Sequence, residues 1–212
     1  MKLSFLVEDK KSWVYPHIEK LAKEVRGKLY TSIKQIEGGD ILFIIACISL
    51  VPSYILDGYK YKLVVHESDL PKGRGFSPVQ YQILEGKNEI PIYLIDAANN
   101  VDTGDIFYKD KIILDGTELL PEIRLKQWKK TEDLIKRFLS EAEPKSTPQV
   151  GKPTYYKRRT HQEDELDINK TIREQFNHLR ILHNEEYRGW FKHKNKKYYI
   201  TIHNGEADEE GT

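Results

Sequence analysis

Apolar positions along this chain recur with two different periods, and the periods alternate from one stretch to the next. Residues 2–7 are a short apolar-rich run closed by Glu8-Asp9-Lys10-Lys11, which predicts a first buried strand and its turn. Ile18, Leu21, Ala22 and Val25 then fall at i, i+3, i+4 and i+7, the spacing of a helix face, with Pro16 tolerable only near the helix start. Gly38-Gly39-Asp40 breaks the chain before a strand over 41–47, and Leu63-Val64-Val65 forms another β-rich run that ends on His66. Residues 77–85 read as a short helix opened by Pro78, 90–95 and 106–114 as two strands, and 117–142 as a longer helix whose apolar stripe includes Leu120, Ile123, Leu134 and Phe138. This alternation predicts an α/β fold: a Rossmann-like open, mostly parallel sheet with helices on both faces. Ligands of such sheets bind beyond the carboxyl ends of the strands, where His66 lies.

Composition changes after the main domain, expected over 1–142. Residues 143–154 hold three prolines and a glycine and predict a linker crossing the surface. A small α+β extension over 155–212 follows, with a helix at 169–182, a strand at 197–203 and an acidic end, 205–212, expected to fray. Among 212 residues, 34 Lys and Arg nearly balance 33 Asp and Glu, so a net charge of +1 offers no general attraction to nucleic acid or anionic lipid. The longest apolar run, 41–51, falls well short of the roughly 20 residues that span a bilayer. The first residues lack the apolar length and cleavage site of a signal peptide, so cytoplasmic residence is expected. Cys47 is the one cysteine and predicts a buried, inert thiol; Trp13, Trp128 and Trp190 predict core or interface positions. No metal-ligand set is expected.

The chemistry concentrates in the run His66-Glu67-Ser68-Asp69-Leu70-Pro71-Lys72-Gly73-Arg74-Gly75-Phe76-Ser77-Pro78 and in Val101-Asp102-Thr103-Gly104-Asp105. The first puts an imidazole at a strand end before a Pro/Gly-punctuated loop, and the second puts a carboxylate near a glycine. Brought together, His66 and Asp102 could manage the proton of an attacking amine. Taken alone, a histidine at a strand end is usually structural, and Gly73 and Gly75 mean only turns.

With both runs in order, residues 41–139 resemble the catalytic core of the folate-dependent formyltransferases, a family that includes methionyl-tRNA and sugar-nucleotide enzymes. Leu70 to Pro78 resembles the family's Leu-Pro-x-x-Arg-Gly-x-x-Pro element, and Asp102 to Asp105 its Asp-x-Gly-Asp loop. The resemblance implies 10-formyltetrahydrofolate as formyl donor and His66 and Asp102 as catalytic residues. His66 would be base or partner of the formyl oxygen; Asp102 would orient the imidazole, favour its charged form, or take the proton itself. The donor would lie against two loops, Ser49, Leu50 and Val51 in one and Ala97, Asn99, Asn100 and Asp102 in the other. The family's usual asparagine two residues before the histidine is Val64 here, and Ser68, Asn88, Asn99, Asn100, a backbone N–H or a water are candidates to replace it.

For the acceptor, residues 155–212 are too few for the C-terminal barrel of the tRNA enzymes, and 172–187 resemble the extension of sugar-nucleotide N-formyltransferases. That implies formyl transfer to a nucleotide-linked amino-dideoxy sugar in bacterial surface-glycan synthesis, with no nucleic acid or membrane partner. Tyr155, Tyr156, Arg158 and Arg159 have the faces and forks that a base and a pyrophosphate need. Lys72, Gly73, Arg74 and Asn184 complete the expected acceptor contacts, with a solvated basic loop and helix capping as the plain alternatives. Segments 175–182 and 197–203 could form a homodimer surface. Another small amine such as glycinamide ribonucleotide, or a catalytically inactive folate or nucleotide-sugar binder, are the alternatives.

Overall fold

The computed structural model describes residues 1–205 and opens with β1 (Leu3–Leu6), α1 (Tyr15–Glu24), β2 (Lys28–Tyr30), β3 (Gly39–Ile44), α2 (Ser53–Leu56) and β4 (Tyr59–His66). Next come β5 (Arg74–Gly75), α3 (Pro78–Leu84), β6 (Glu89–Asp96), β7 (Ile106–Ile113) and α4 (Leu120–Ser140). The chain then adds β8 (Tyr155–Tyr156), α5 (Phe176–Leu179), β9 (Gly189–His193) and β10 (Lys196–Ile200).

The main sheet has the order β2-β1-β3-β4-β6-β7, with β2, β1, β3 and β4 mutually parallel and β6 and β7 antiparallel to their neighbours. This is the expected mostly parallel α/β sheet. The β6–β7 pair is antiparallel because 97–105 form a loop without the crossover helix that a parallel pair requires. Strand alternation assigns Phe5, Phe43 and Leu63 to the core shared with Ile18 of α1 and Phe138 of α4, whereas Leu6, Leu42 and Ile44 meet Ile55 and Leu56 of α2. Phe5 stacks on Phe43 at 5.3 Å, and Phe138 meets Phe43 edge-on at 6.0 Å. Helix α4 starts with Pro121 in its first turn, and the Glu122 carboxylate caps it by accepting from the Leu119 amide at 2.9 Å. No helix among the described residues is long and apolar enough to cross a membrane.

Residues 143–154 do more than cross the surface. Thr147 exchanges both backbone hydrogen bonds with Ile106, and Thr154 accepts from the Arg74 amide at 3.0 Å and, through its hydroxyl, from the Gly73 amide at 2.9 Å. The helix expected over 169–182 does not form; only a 3-10 turn at Arg173–Gln175 and the short α5 are helical there. Local side chains compete for its first turn: Asp167 accepts from the Asn169 amide at 2.9 Å, and Thr171 and Glu174 cap each other. Its end is pulled inward instead, with Leu179 and Leu182 packed on Leu166 and Arg180 fully buried. The strand expected at 197–203 is realised as β10, paired antiparallel with β9. The acidic stretch from 206 onward lies outside the described residues.

Candidate active site

Val64 and His66 share one face of β4, and His66 sits at its carboxyl end with 4% exposure. The Nε2 atom of His66 lies 2.8 Å from the Gly73 carbonyl. A carbonyl only accepts, so Nε2 carries the hydrogen and Nδ1 keeps a lone pair. That lone pair faces Asp102 Oδ2 at 3.4 Å, and the same oxygen accepts from the Gly75 amide at 2.8 Å. Nδ1 can therefore take a proton, with a fixed carboxylate beside the imidazolium that results.

Backbone geometry builds this pair. Gly73 and Gly75 have φ of +69° and +101°, and a Cβ on Gly75 would stand 2.5 Å from the Tyr156 carbonyl oxygen, so the loop closes only with glycine there. Asp102 itself is left-handed, with φ of +53°. Gln149 holds it: the carboxamide donates to the carbonyls of Asp102 and Gly104, both at 2.8 Å, and accepts from Arg74 at 2.6 Å. Sequence reasoning missed Gln149, because nothing local in a proline-flanked stretch marks a contact with a loop some 45 residues away. Gln149→Ala should loosen the 97–105 loop by about 1–3 kcal/mol. Faster deuterium uptake across 97–105 and at Gly75 would show it; unchanged exchange would refute the clamp.

The pair forms part of the wall of a cavity of about 410 Å³. Of the residues expected to meet the formyl donor, Ser49, Leu50, Val51, Ala97, Asn100 and Asp102 line it, and Asn99 does not. Two expected backbone donors are engaged elsewhere, since the Ser49 amide donates to Glu8 at 3.0 Å and the Ala97 amide to the Lys62 carbonyl at 2.7 Å. The amides of Leu50 and Val51 have no partner among the described residues. Val64 presents an apolar wall beside His66. Among the side chains expected to replace the asparagine, Asn88 is held by Arg180 and Ser68 is buried away from the cavity, which leaves Asn100 in its wall. Cys47 is half-buried rather than fully buried, and burial pushes its thiol up to about 12, so it stays protonated.

None of the residues expected to contact the acceptor lines this cavity. The Gly73 carbonyl holds His66, Arg74 binds Gln149, and Lys72, Tyr155 and Arg158 are exposed. Tyr156 is stacked on Tyr81 at 4.7 Å and donates to Glu85, and Arg159 pairs with Asp164 at 3.1 Å. Asn184 has a structural role, its carboxamide exchanging two hydrogen bonds with the backbone of Ile202. Arg74, Tyr156, Arg159 and Asn184 complete the loop and the C-terminal segment because their polar atoms already have protein partners.

The wall beyond His66 is instead made by Trp13, Glu67, Arg124 and Gln127. Arg124, Gln127 and Thr131 recur at i, i+3 and i+7, a polar column along α4 that the spacing alone could have revealed. Glu67 accepts from Gln127 at 2.7 Å, and burial pushes its carboxyl above the usual range despite His66 and Gln127. A carboxyl raised by folding favours the folded state most at low pH, and that contribution is lost as pH rises through the folded value. Glu67→Gln should therefore melt above the parent at pH 8 and show no gain at pH 4. Identical melting differences at both pH values would sink this.

An imidazole at the carboxyl end of a strand and a carboxylate on a neighbouring loop thus face one cavity, where they can exchange a proton with a bound molecule. Residues 2–138 match the family described as Formyl transferase, and the chain belongs to that family. A methionyl-tRNA formyltransferase of Francisella philomiragia is 32% identical over 143 residues, covering 66% of this chain and 46% of that protein. The solved methionyl-tRNA formyltransferase from Clostridium thermocellum has a TM-score of 0.80 at 25% identity, covering 94% of this chain and 92% of that one. A sugar N-formyltransferase from Shewanella sp shares the fold, with a TM-score of 0.70 at 16% identity over 95% of this chain and 97% of that one. This chain spans less than half the length of the curated relatives it matches, 33% and 46% of two of them.

Proposed function

We propose that this protein moves a formyl group from 10-formyltetrahydrofolate to the primary amine of a nucleotide-linked amino-dideoxy sugar. The observation that carries the reading is the His66–Asp102 pair, 3.4 Å apart, in the wall of one cavity with two chemically different ends. Ile44, Val51, Leu56, Val64 and Ile95 make an apolar end suited to a flat pterin, and the exposed Ile48, Leu50 and Val101 extend that surface toward solvent. The amides of Leu50 and Val51, which have no partner among the described residues, suit the polar edge of such a ring. Glu67, Gln127 and Arg124 make a polar end suited to the acceptor. The volume of about 410 Å³ falls within the roughly 300–1,000 Å³ of small-molecule sites.

The formyl donor supplies a carbonyl carbon attached to a nitrogen that leaves. As the acceptor nitrogen joins that carbon it must lose a proton, which His66 Nδ1 accepts beside Asp102. The proton can then pass to the departing nitrogen, so His66 and Asp102 end as they began. Asn100 would donate to the formyl oxygen in place of the asparagine absent at Val64.

Methionyl-tRNA is a second reading, favoured by the names of the sequence relatives and by the basic hairpin carrying Arg188, Lys192, Lys194, Lys196 and Lys197. Incubation with 10-formyltetrahydrofolate and either a panel of nucleotide-linked amino sugars or methionyl-tRNA decides, with tetrahydrofolate release as readout. Release dependent on a nucleotide sugar is expected. Release dependent only on methionyl-tRNA, or on neither, would overturn the proposal.

A further inference from the structure

Two arginines of this fold have opposite surroundings. Arg180, fully buried, is matched by Glu118 at 3.4 Å, Asn88 at 2.7 Å and Asn177 at 2.9 Å. Arg124, in the cavity wall, is not: it donates to the Tyr187 hydroxyl at 2.7 Å, its Nε is buried with no partner, and it pairs with no carboxylate among the described residues. A guanidinium carries five N–H donors in a fork shaped for the oxygens of a carboxylate or phosphoryl group. Drawing such a charge partly out of water is costly, and the Glu186 carboxylate, near enough to favour the charged form, makes no ion pair with it, so its retention here needs a reason. Burial also holds the Arg124 pKa below the ordinary arginine range.

The side chain is held in place as well as underpartnered. The Trp13 ring lies 5.5 Å from its guanidinium carbon, a cation–π contact, and with Nε buried and one terminal nitrogen on Tyr187 the other terminal nitrogen is the one left for a ligand. Gln127 follows three residues later on the same helix face, which puts the two Cβ atoms roughly 5–6 Å apart. Gln127 in turn fixes the Glu67 carboxyl at 2.7 Å, next in the chain to His66. A cationic fork and a carboxyl group thus line the same cavity as the imidazole, linked through Gln127.

We propose that Arg124 is the phosphoryl-binding residue of the acceptor site, with Glu67 contacting the amine-bearing end of the same molecule. This rests on the nucleotide-sugar reading above and deepens it: the acceptor carries a phosphoryl group within a few ångströms of its amine.

Calorimetric binding of inorganic pyrophosphate tests the assignment without any formyl transfer. The parent should bind pyrophosphate, Arg124→Gln should weaken binding at least tenfold, and Lys20→Gln, which removes an exposed charge on α1, should match the parent. Arg124→Lys, which keeps the charge but not the fork, should fall between them and guards against a folding defect in the glutamine variant. Equal binding by parent and Arg124→Gln, or no binding by the parent, would overturn the assignment. Succinate binding that depends on Arg124 as strongly would overturn the phosphoryl identity. Weakened binding of 5-formyltetrahydrofolate in place of pyrophosphate would move Arg124 to the donor side and overturn it too. With the active acceptor, KM should rise at least tenfold in Arg124→Gln. If nucleotide sugars are formylated and neither KM nor pyrophosphate affinity changes, this assignment fails and the function stands. If no nucleotide sugar is formylated while pyrophosphate binding depends on Arg124, the function fails and the anion site stands.

Discussion

Formyl transfer is expected to slow by on the order of 10²–10⁴-fold when His66 is replaced by alanine, the range covered by positioned acid–base groups. The geometry locates the loss at Nδ1. Its partner ring atom is tied to the Gly73 carbonyl at 2.8 Å, so only Nδ1 has a free lone pair, and the Asp102 carboxylate stands 3.4 Å away to receive the imidazolium. Asp102→Asn should cost a comparable factor for a different reason. The Gly75 amide can still bond to the amide oxygen of asparagine, which then faces Nδ1 in place of the carboxylate oxygen, but a neutral amide brings no negative charge to the imidazolium that forms. Because the residues act as one unit, the double variant should be little slower than either single variant. Tetrahydrofolate release at saturating acceptor, with a melting curve for each variant, measures this. A His66→Ala protein that folds and keeps more than a tenth of parental turnover would remove the imidazole from the mechanism.

The features legible in the sequence are those whose cause is local. Apolar alternation marks β3 and β4 because each is flanked by its own core layer, and the i, i+3, i+4 spacing of Ile18, Leu21 and Ala22 marks α1 because those side chains enter one cluster. His66 and Asp102 were legible through the two loops that carry them, and the fold brings them together. Other features depend on partners distant in the chain. Strand β2 is only three residues long, and β5 exists because Arg74 and Gly75 pair with Tyr155 and Tyr156. Gln149 was invisible for the same reason, since its meaning lies in which backbone it meets, whereas the spacing of Arg124, Gln127 and Thr131 carried a signal of its own. The expected helix at 169–182 fails in the opposite direction. Its periodicity is adequate, but side chains of Asp167, Thr171 and Glu174 bond locally, and burial of Arg180 against Glu118 fixes another path.

The second large effect is expected at Gly104, where addition of one methyl group should abolish transfer. An ideal Cβ there would lie 1.8 Å from the Asp96 carbonyl oxygen and 2.6 Å from its carbon, and neither belongs to a side chain that can swing aside. Asp96 is fixed in turn, paired with Leu63 across the sheet and donating its amide to the Asp105 carbonyl at 2.8 Å. The methyl group must therefore displace the 102–105 loop, taking Asp102 away from the Gly75 amide and from His66. Gln149, which bonds to both Asp102 and Gly104, cannot hold the displaced loop in the same register. Overpacking typically costs about 1–3 kcal/mol and sometimes more, and a clash with fixed backbone belongs at the upper end. Gly86→Ala separates space from conformation: Gly86 has φ of +83° but nothing within 4 Å of an added Cβ, so alanine there should cost only the roughly 1–2 kcal/mol of a left-handed residue and leave turnover intact. Gly104→Ala should melt lower than Gly86→Ala and release no tetrahydrofolate above background. Parental turnover in Gly104→Ala would mean that the loop can move without disturbing Asp102, and the rigid geometry assigned to the pair would be wrong.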